Sequence, residues 1–316
     1  MSRLLGSVTV PSPDPSTKAI LKDLSEVKEL NVPGFELSDI RAAYDRVFAA
    51  WPAPSLKPTE ESWVSLKALG NERRCLIVEP LTPDAERPSL VFIHGGGWSL
   101  GTALAYAPLA RWLSVELNMR VLVPDFPQAP EEEAPAALNA LSELLVWASE
   151  RFKTKLILMG DSAGGNLTAV LSNHPPEGVE IGAQVLFYPV IDLRPDASYP
   201  SRKAYGKGKH FLTEPAIIGA GMQYCGRSTE PTSSLMTPLL ETDFSKTPPT
   251  WHLLPEFDPL HDEGQAYAEL LSQNGIRSEV IIAQRTIHGC ASFAGRIPEA
   301  DRCLKLICAQ LNEEFS

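Results

Sequence analysis

From Glu60 onward, short apolar runs of strand length alternate with longer stretches whose apolar residues recur at three- and four-residue spacing. That alternation predicts a mostly parallel sheet with helices on both faces, because a strand covered on both sides reads as a continuous apolar run. Trp63 to Leu69 and Cys75 to Pro80 read as an antiparallel pair ahead of the sheet. Leu90 to Ile93, Val121 to Val123, Leu156 to Met159, Gln184 to Ile191, Trp251 to Leu254 and Glu279 to Ala283 read as the further strands. Helical spacing covers Ala107 to Leu117, Ala136 to Trp147, Asn166 to Leu171, Gln265 to Leu271 and Glu299 to Leu311.

Two regions break this rhythm. Residues 1–55 read as helical at Thr17 to Leu30 and Leu37 to Ala50, each bounded by prolines that start or stop helices. Residues 196–232 carry prolines, glycines and basic side chains ahead of a helix at Glu214 to Tyr224. Neither has strand signals, so both are expected outside the sheet. The chain then divides into an N-terminal segment 1–55, a core 56–195, an insertion 196–232 and the rest of the core, 233–316.

Composition acts here by exclusion. With 316 residues, 44% hydrophobic and 21% charged, the chain suits an ordinary globular fold with a sizeable core. Its 39 acidic and 28 basic residues give a net charge of −11, which repels phosphate backbones, so no nucleic-acid partner is expected. No apolar run reaches the roughly 18–20 residues that cross a bilayer, and the N-terminus lacks the apolar stretch of a secretion signal. The expectation is a cytoplasmic protein without a membrane span. Five cysteines with no CxxC pair point to free thiols, and neither a disulfide framework nor a metal site is expected.

Gly160-Asp-Ser-Ala-Gly164 follows the strand Leu156 to Met159 and precedes a helix. In that context the pattern G-x-S-x-G places Ser162 on a tight strand-to-helix turn, exposed as a nucleophile at the end of the sheet. His94-Gly-Gly-Gly97 follows the strand Leu90 to Ile93, and its glycines let backbone N–H groups point inward as an oxyanion hole, with Ala163 N–H completing the set. Neither a Lys-Ser/Thr pair nor G-x-G-x-x-G spacing accompanies this loop, so phosphate binding is not indicated.

A hydroxyl needs a base, and the base needs an orienting acid. In the order Ser, acid, His, the histidines after a credible acid are His261 and His288, and His288 lies just past the last strand. His261 is read as solvated. For the acid, Glu256, Asp258, Asp262 and Glu263 follow the strand Trp251 to Leu254. Asp258 precedes a proline, which favours an extended loop, while Asp262 and Glu263 stand where a helix begins and read as capping residues. Ser162, Asp258 and His288 are therefore the expected catalytic residues. Cys290, beside them in sequence, reads as a small buried hydrophobe.

His94-Gly-Gly-Gly-Trp98, Gly160-Asp-Ser-Ala-Gly-Gly165, Tyr188-Pro-Val-Ile-Asp192, Asp258-Pro-Leu260 with Asp262-Glu263, and His288-Gly289 together closely resemble the hormone-sensitive-lipase family of esterases, over about residues 60–316. The resemblance implies an α/β-hydrolase fold with an eight-stranded core sheet. It also implies a helical cap built from the N-terminal segment and an insertion after the sixth strand. The oxyanion donors are then Gly96, Gly97 and Ala163. The implied activity is a serine carboxylesterase acting on short- to medium-chain esters through an acyl-enzyme, with no metal or organic cofactor. Pairing of two copies through the last strand and helix is a further implication. Trp98, Tyr188 and Phe211 are candidates to line the substrate pocket. An amidase, a lactonase or an acyltransferase uses the same triad, and a non-catalytic binding protein on the same scaffold is the remaining reading. The sequence departs from the family at Asp125-Phe-Pro-Gln-Ala-Pro-Glu131, where an arginine is usual two residues after the aspartate.

Overall fold

A computed structural model describes residues 12–50, 58–67, 73–84, 86–226 and 231–316. Residues 1–11 and 51–55 of the N-terminal segment, Ala68 and Leu69 of the first expected strand, and 227–230 of the insertion lie outside the described residues.

The expected alternation is present as eight strands: β1 (Thr59–Ser65), β2 (Arg74–Pro80), β3 (Ser89–Ile93), β4 (Val121–Pro124), β5 (Leu156–Asp161), β6 (Ile181–Phe187), β7 (Thr250–Phe257) and β8 (Ser278–Ile287). They form one sheet in the order β1-β2-β4-β3-β5-β6-β7-β8. Among the described strands only β2 runs against its neighbours, pairing antiparallel with β1 and β4. The helices are α1 (Pro15–Ser25), α2 (Lys28–Asn31), α3 (Leu37–Ala49), α4 (Ala107–Leu117), α5 (Ala136–Phe152), α6 (Ala163–Asn173), α7 (Pro200–Tyr205), α8 (Glu214–Cys225), α9 (His261–Gln273) and α10 (Pro298–Glu314).

Strand alternation sorts the core onto the two sheet faces. Leu76, Val78, Leu90 and Phe92 pack on one face with α4 and α10 residues such as Trp112, Leu113, Leu304 and Ile307. Cys75, Ile77, Val91 and Ile93 pack on the other with Leu141, Leu144 and Leu145 of α5 and Leu167 of α6. Ile20 and Leu24 of α1 and Tyr44, Val47 and Phe48 of α3 join the first core. Ile217 and Tyr224 of α8 join the second.

Several elements run longer or shorter than expected, such as β8, which continues to Ile287, and α9, which begins at His261; three differences have a plain physical cause. β1 begins at Thr59, since Thr59, Glu60 and Glu61 pair with Pro80, Glu79 and Val78 although their polar side chains hide the strand. β6 ends at Phe187 instead of Ile191, because Tyr188 takes φ 37° and Pro189 offers no N–H to a ladder. The single helix read over Thr17 to Leu30 is two, broken where Val27 is extended, with the Asn31 amide donating to Leu24 O and Val27 O.

Candidate active site

The chain passes from β5 into α6 through Ser162, which holds φ 54° and ψ −118°. A non-glycine residue in this region carries strain of about 1–3 kcal/mol, which the surrounding packing must outweigh. Gly164 is what lets the turn close on β3: a Cβ there would lie 2.0 Å from Ile93 O and 2.5 Å from His94 O. The spacing of the motif is therefore a steric requirement of strand, turn and helix meeting at one point.

His288 directly follows β8 and Asp258 directly follows β7, so parallel neighbours deliver both to the same end of the sheet as Ser162. His288 Nε2 lies 3.0 Å from Ser162 Oγ, and His288 Nδ1 lies 2.8 Å from Asp258 Oδ2. Asp258 is fully buried, and its other oxygen accepts from Leu260 N at 2.8 Å. Tyr188 packs its ring edge-on to His288 with centroids 4.8 Å apart. Cys290 is fully buried, and burial pushes its thiol well up, away from thiolate formation.

Asp262 and Glu263 are not the capping residues expected, since α9 has no side-chain cap hydrogen bond. Asp262 Oδ2 instead accepts from Ser201 N of α7 at 2.8 Å. Glu263 is fully buried, accepts from Ile191 N at 2.9 Å, and pairs with Arg202 at 2.5 Å. Asp262 thus takes its partner from the insertion, and Glu263 takes Arg202 from the insertion and the Ile191 N–H from the core. His261 is half-buried, its Nδ1 2.8 Å from Pro255 O, and takes no part in the Ser162–His288–Asp258 contacts.

In the loop after β3, Gly96 takes φ 110°, and a Cβ there would meet Leu100 O at 2.2 Å. The N–H groups of Gly96 and Gly97 donate to no partner among the described residues. Ala163 opens α6, where an N–H has no acceptor within its own helix. Asp161, just before the nucleophile, accepts from Gly95 N at 2.6 Å through Oδ1 and from the Tyr106 hydroxyl at 3.2 Å through Oδ2. Burial pushes its carboxyl up to about 7 from 3.8.

The three pocket candidates differ in placement. Trp98 is buried and stacks on Tyr224 of α8, centroids 4.6 Å apart. Tyr188 is fully buried beside His288. Phe211 is half-buried with φ 75°, close to Gly289. Sequence reasoning passed over Asp161, which stands inside the serine motif, and Tyr106, Arg41, Tyr44 and Arg202, for which no local pattern gives a signal.

Comparison with known proteins places this geometry. A family model described as alpha/beta hydrolase fold matches residues 90–292. The carboxylesterase NlhH of Mycobacterium tuberculosis is 31% identical over 225 residues, covering 67% of this chain and 69% of that protein. An ethyl acetate hydrolase of Pseudomonas putida is 28% identical over 236 residues, covering 72% of this chain and 73% of that protein. The solved structure of a hyperthermophilic esterase from Pyrobaculum calidifontis superposes with TM-score 0.83 at 26% identity, covering 96% of this chain and 99% of that one.

Proposed function

Since this chain belongs to the α/β-hydrolase fold family, in its hormone-sensitive-lipase-like branch, and is a carboxylic ester hydrolase, we propose that it cleaves short- to medium-chain esters with Ser162, His288 and Asp258. The observation that carries the residue assignment is the relay from Ser162 Oγ through His288 to Asp258, at 3.0 and 2.8 Å; the N–H groups of Gly96 and Gly97 have no partner among the described residues and remain open to an oxyanion.

His288 Nε2 takes the proton as Ser162 Oγ attacks the ester carbonyl. Asp258 accepts the hydrogen bond from Nδ1, fixes the tautomer and stabilises the imidazolium without being protonated. The oxygen of the tetrahedral intermediate rests on the N–H groups of Gly96, Gly97 and Ala163; one such donor is worth about 3–4 kcal/mol of barrier in known cases. His288 returns its proton to the leaving alcohol, and water repeats the cycle on the acyl-enzyme. This route needs no cofactor.

The N-terminal helices and the insertion form the cap in this reading, and they confine the acyl site. Phe211 approaches Gly289 beside His288, and Ala220 of α8 stands 3.2 Å from where a Gly97 Cβ would lie. A relative that hydrolyses ethyl acetate agrees with a small acyl group. All five cysteines are free and buried, which fits a reducing cytoplasm, and among the described residues no helix is long and apolar enough to cross a membrane. Among the described residues the outer edge of β8 pairs with no further strand, and we place a homodimer contact there and on α10.

Hydrolysis of p-nitrophenyl esters from acetate to palmitate, by the wild type and by Ser162→Ala, tests the reading. The expected result is turnover strongest on the shorter esters and reduced by several orders of magnitude in the variant, without a change in melting. A folded wild type that turns over none of them refutes the assignment.

A further inference from the structure

The glycine loop is held along its length by core contacts. The His94 ring lies 2.8 Å from Gly95 O, Ser99 N and Leu100 N donate to Gly96 O at 3.1 and 2.9 Å, and Ala129 N donates to Trp98 O at 2.9 Å. Gln128 Nε2 donates to Leu100 O and Gly101 O at 3.2 and 2.8 Å. Helix α8 adds the Tyr224 ring stacked on Trp98, and further restraints come from α3, which lies outside the span matched by the family model.

Arg41 Nε donates to Ser99 O at 2.8 Å, while its two terminal nitrogens hold Glu131 at 2.7 Å each and one of them reaches Ala129 O at 3.2 Å. Nearly one turn later the Tyr44 hydroxyl lies 2.9 Å from the Tyr106 hydroxyl. With Asp161 ionised, Tyr106 spends its only hydroxyl proton on Asp161 Oδ2, so Tyr44 is the donor to Tyr106. Asp161 Oδ1 in turn fixes Gly95 N. Asp45 accepts from Thr102 Oγ1 at 3.0 Å just past the loop. Burial next to Asp161 holds the Tyr44 and Tyr106 phenols well above their usual range, so both stay protonated as donors. One face of α3 thus grips the loop at its start, through Tyr44, Tyr106 and Asp161, and near its end, through Arg41.

We propose that Arg41 and Tyr44 are positioning residues for the oxyanion hole: through Ser99 O and through Tyr106 and Asp161 they keep the Gly96 and Gly97 N–H groups aimed at the reacting oxygen. The inference rests on the esterase reading above. Oxyanion donors act mainly on the transition state, whose oxygen carries the charge, so loosening them lowers kcat and leaves KM nearly unchanged. Docking of α3 for stability alone predicts no such split.

The test uses the full chain with p-nitrophenyl butyrate, together with a trifluoromethyl ketone that forms a tetrahedral adduct with the serine. Wild type, Ser162→Ala, Arg41→Met, Arg41→Lys, Tyr44→Phe and the control Arg46→Met are compared. Arg46→Met removes only the ion pair from α3 to Glu29. The expected result is a loss of kcat of about tenfold in Arg41→Met and about threefold in Tyr44→Phe, smaller than deletion of a whole donor. KM stays within about twofold, and ketone affinity falls in step with kcat. Arg41→Lys keeps a donor for Ser99 O and falls between wild type and Arg41→Met, while Arg46→Met matches wild type. Unchanged kcat in Arg41→Met and Tyr44→Phe, a loss confined to KM, or ketone affinity that does not follow kcat overturns the proposal. If Arg41→Met unfolds, Tyr44→Phe, which deletes a single oxygen, decides by the same criteria. No turnover by the wild type sinks the esterase reading and this proposal with it. Turnover lost in Ser162→Ala but intact in the α3 variants refutes this proposal alone.

Discussion

Arg41 with Glu131 and Arg202 with Glu263 are both arginine–carboxylate pairs that fasten a helix outside the sheet to the site, and they sit in different dielectrics. Glu131 has 54% of its side chain exposed, and the Arg41 hydrogen bond holds its carboxyl down to about 2. Glu263 and Arg202 have 0% and 2% exposed, and burial pushes the Glu263 carboxyl up to about 7 despite the guanidinium beside it. Water screens the first pair and makes it weak as glue. The second has lost its hydration, so each partner depends on the other. The α3 contact can therefore change without unfolding the chain, whereas the α7 contact is part of the fold.

The α7 contact also reaches the acid loop. Ser201 Oγ donates to Pro259 O at 2.8 Å, and Asp262 accepts from Ser201 N, so Asp258 sits on a loop pinned from the insertion. The sharpest cut through this side separates chemistry from support. Asp258→Asn should lower ester turnover by about four orders of magnitude, as loss of an orienting acid does elsewhere. Asp262→Asn should keep most of that turnover and chiefly lower stability. An assay showing the reverse pattern moves the acid to Asp262.

Next in size, Arg202→Met leaves Glu263 buried without its cation, and urea unfolding should show a loss of about 3–5 kcal/mol. A loss as small as that expected for an exposed pair would erase the contrast between the two anchors. Glu131→Gln removes a screened partner and should change unfolding free energy by less than about 1 kcal/mol in the same measurement.

The smallest expected effect is on pH dependence. Asp161 and Glu263 both titrate at about 7 when folded, against ordinary values of 3.8 and 4.5. The native state thus retains protons that the unfolded chain releases. Their contribution to stability is fully present below about pH 4 and is lost as pH rises through about 7. Urea melts between pH 5 and 8 should show this decline, and it should be shallower in Asp161→Asn and in Glu263→Gln. Parallel profiles for wild type and both variants would show that neither carboxyl holds its proton.

Much of this molecule was legible in local pattern. The strand and helix segments along the chain and the chemistry-bearing motifs follow from spacing, because periodicity reports which face of an element is buried and G-x-S-x-G reports a close approach only glycine permits. Such pattern assigns a residue to a face but does not identify its partner. The capping reading of Asp262 and Glu263 failed for that reason: their sequence position suited a helix start, and partners some sixty residues away in the insertion outcompeted it. Arg41 shows the same limit, a polar position on an amphipathic helix whose acceptor, Ser99 O, lies 58 residues distant. The sequence by itself determined most of the elements, the class of fold they build and the candidates for acyl chemistry. Only the tertiary structure decided which buried polar groups satisfy one another, because the strength of a hydrogen bond or ion pair depends on the burial that distant segments impose on it.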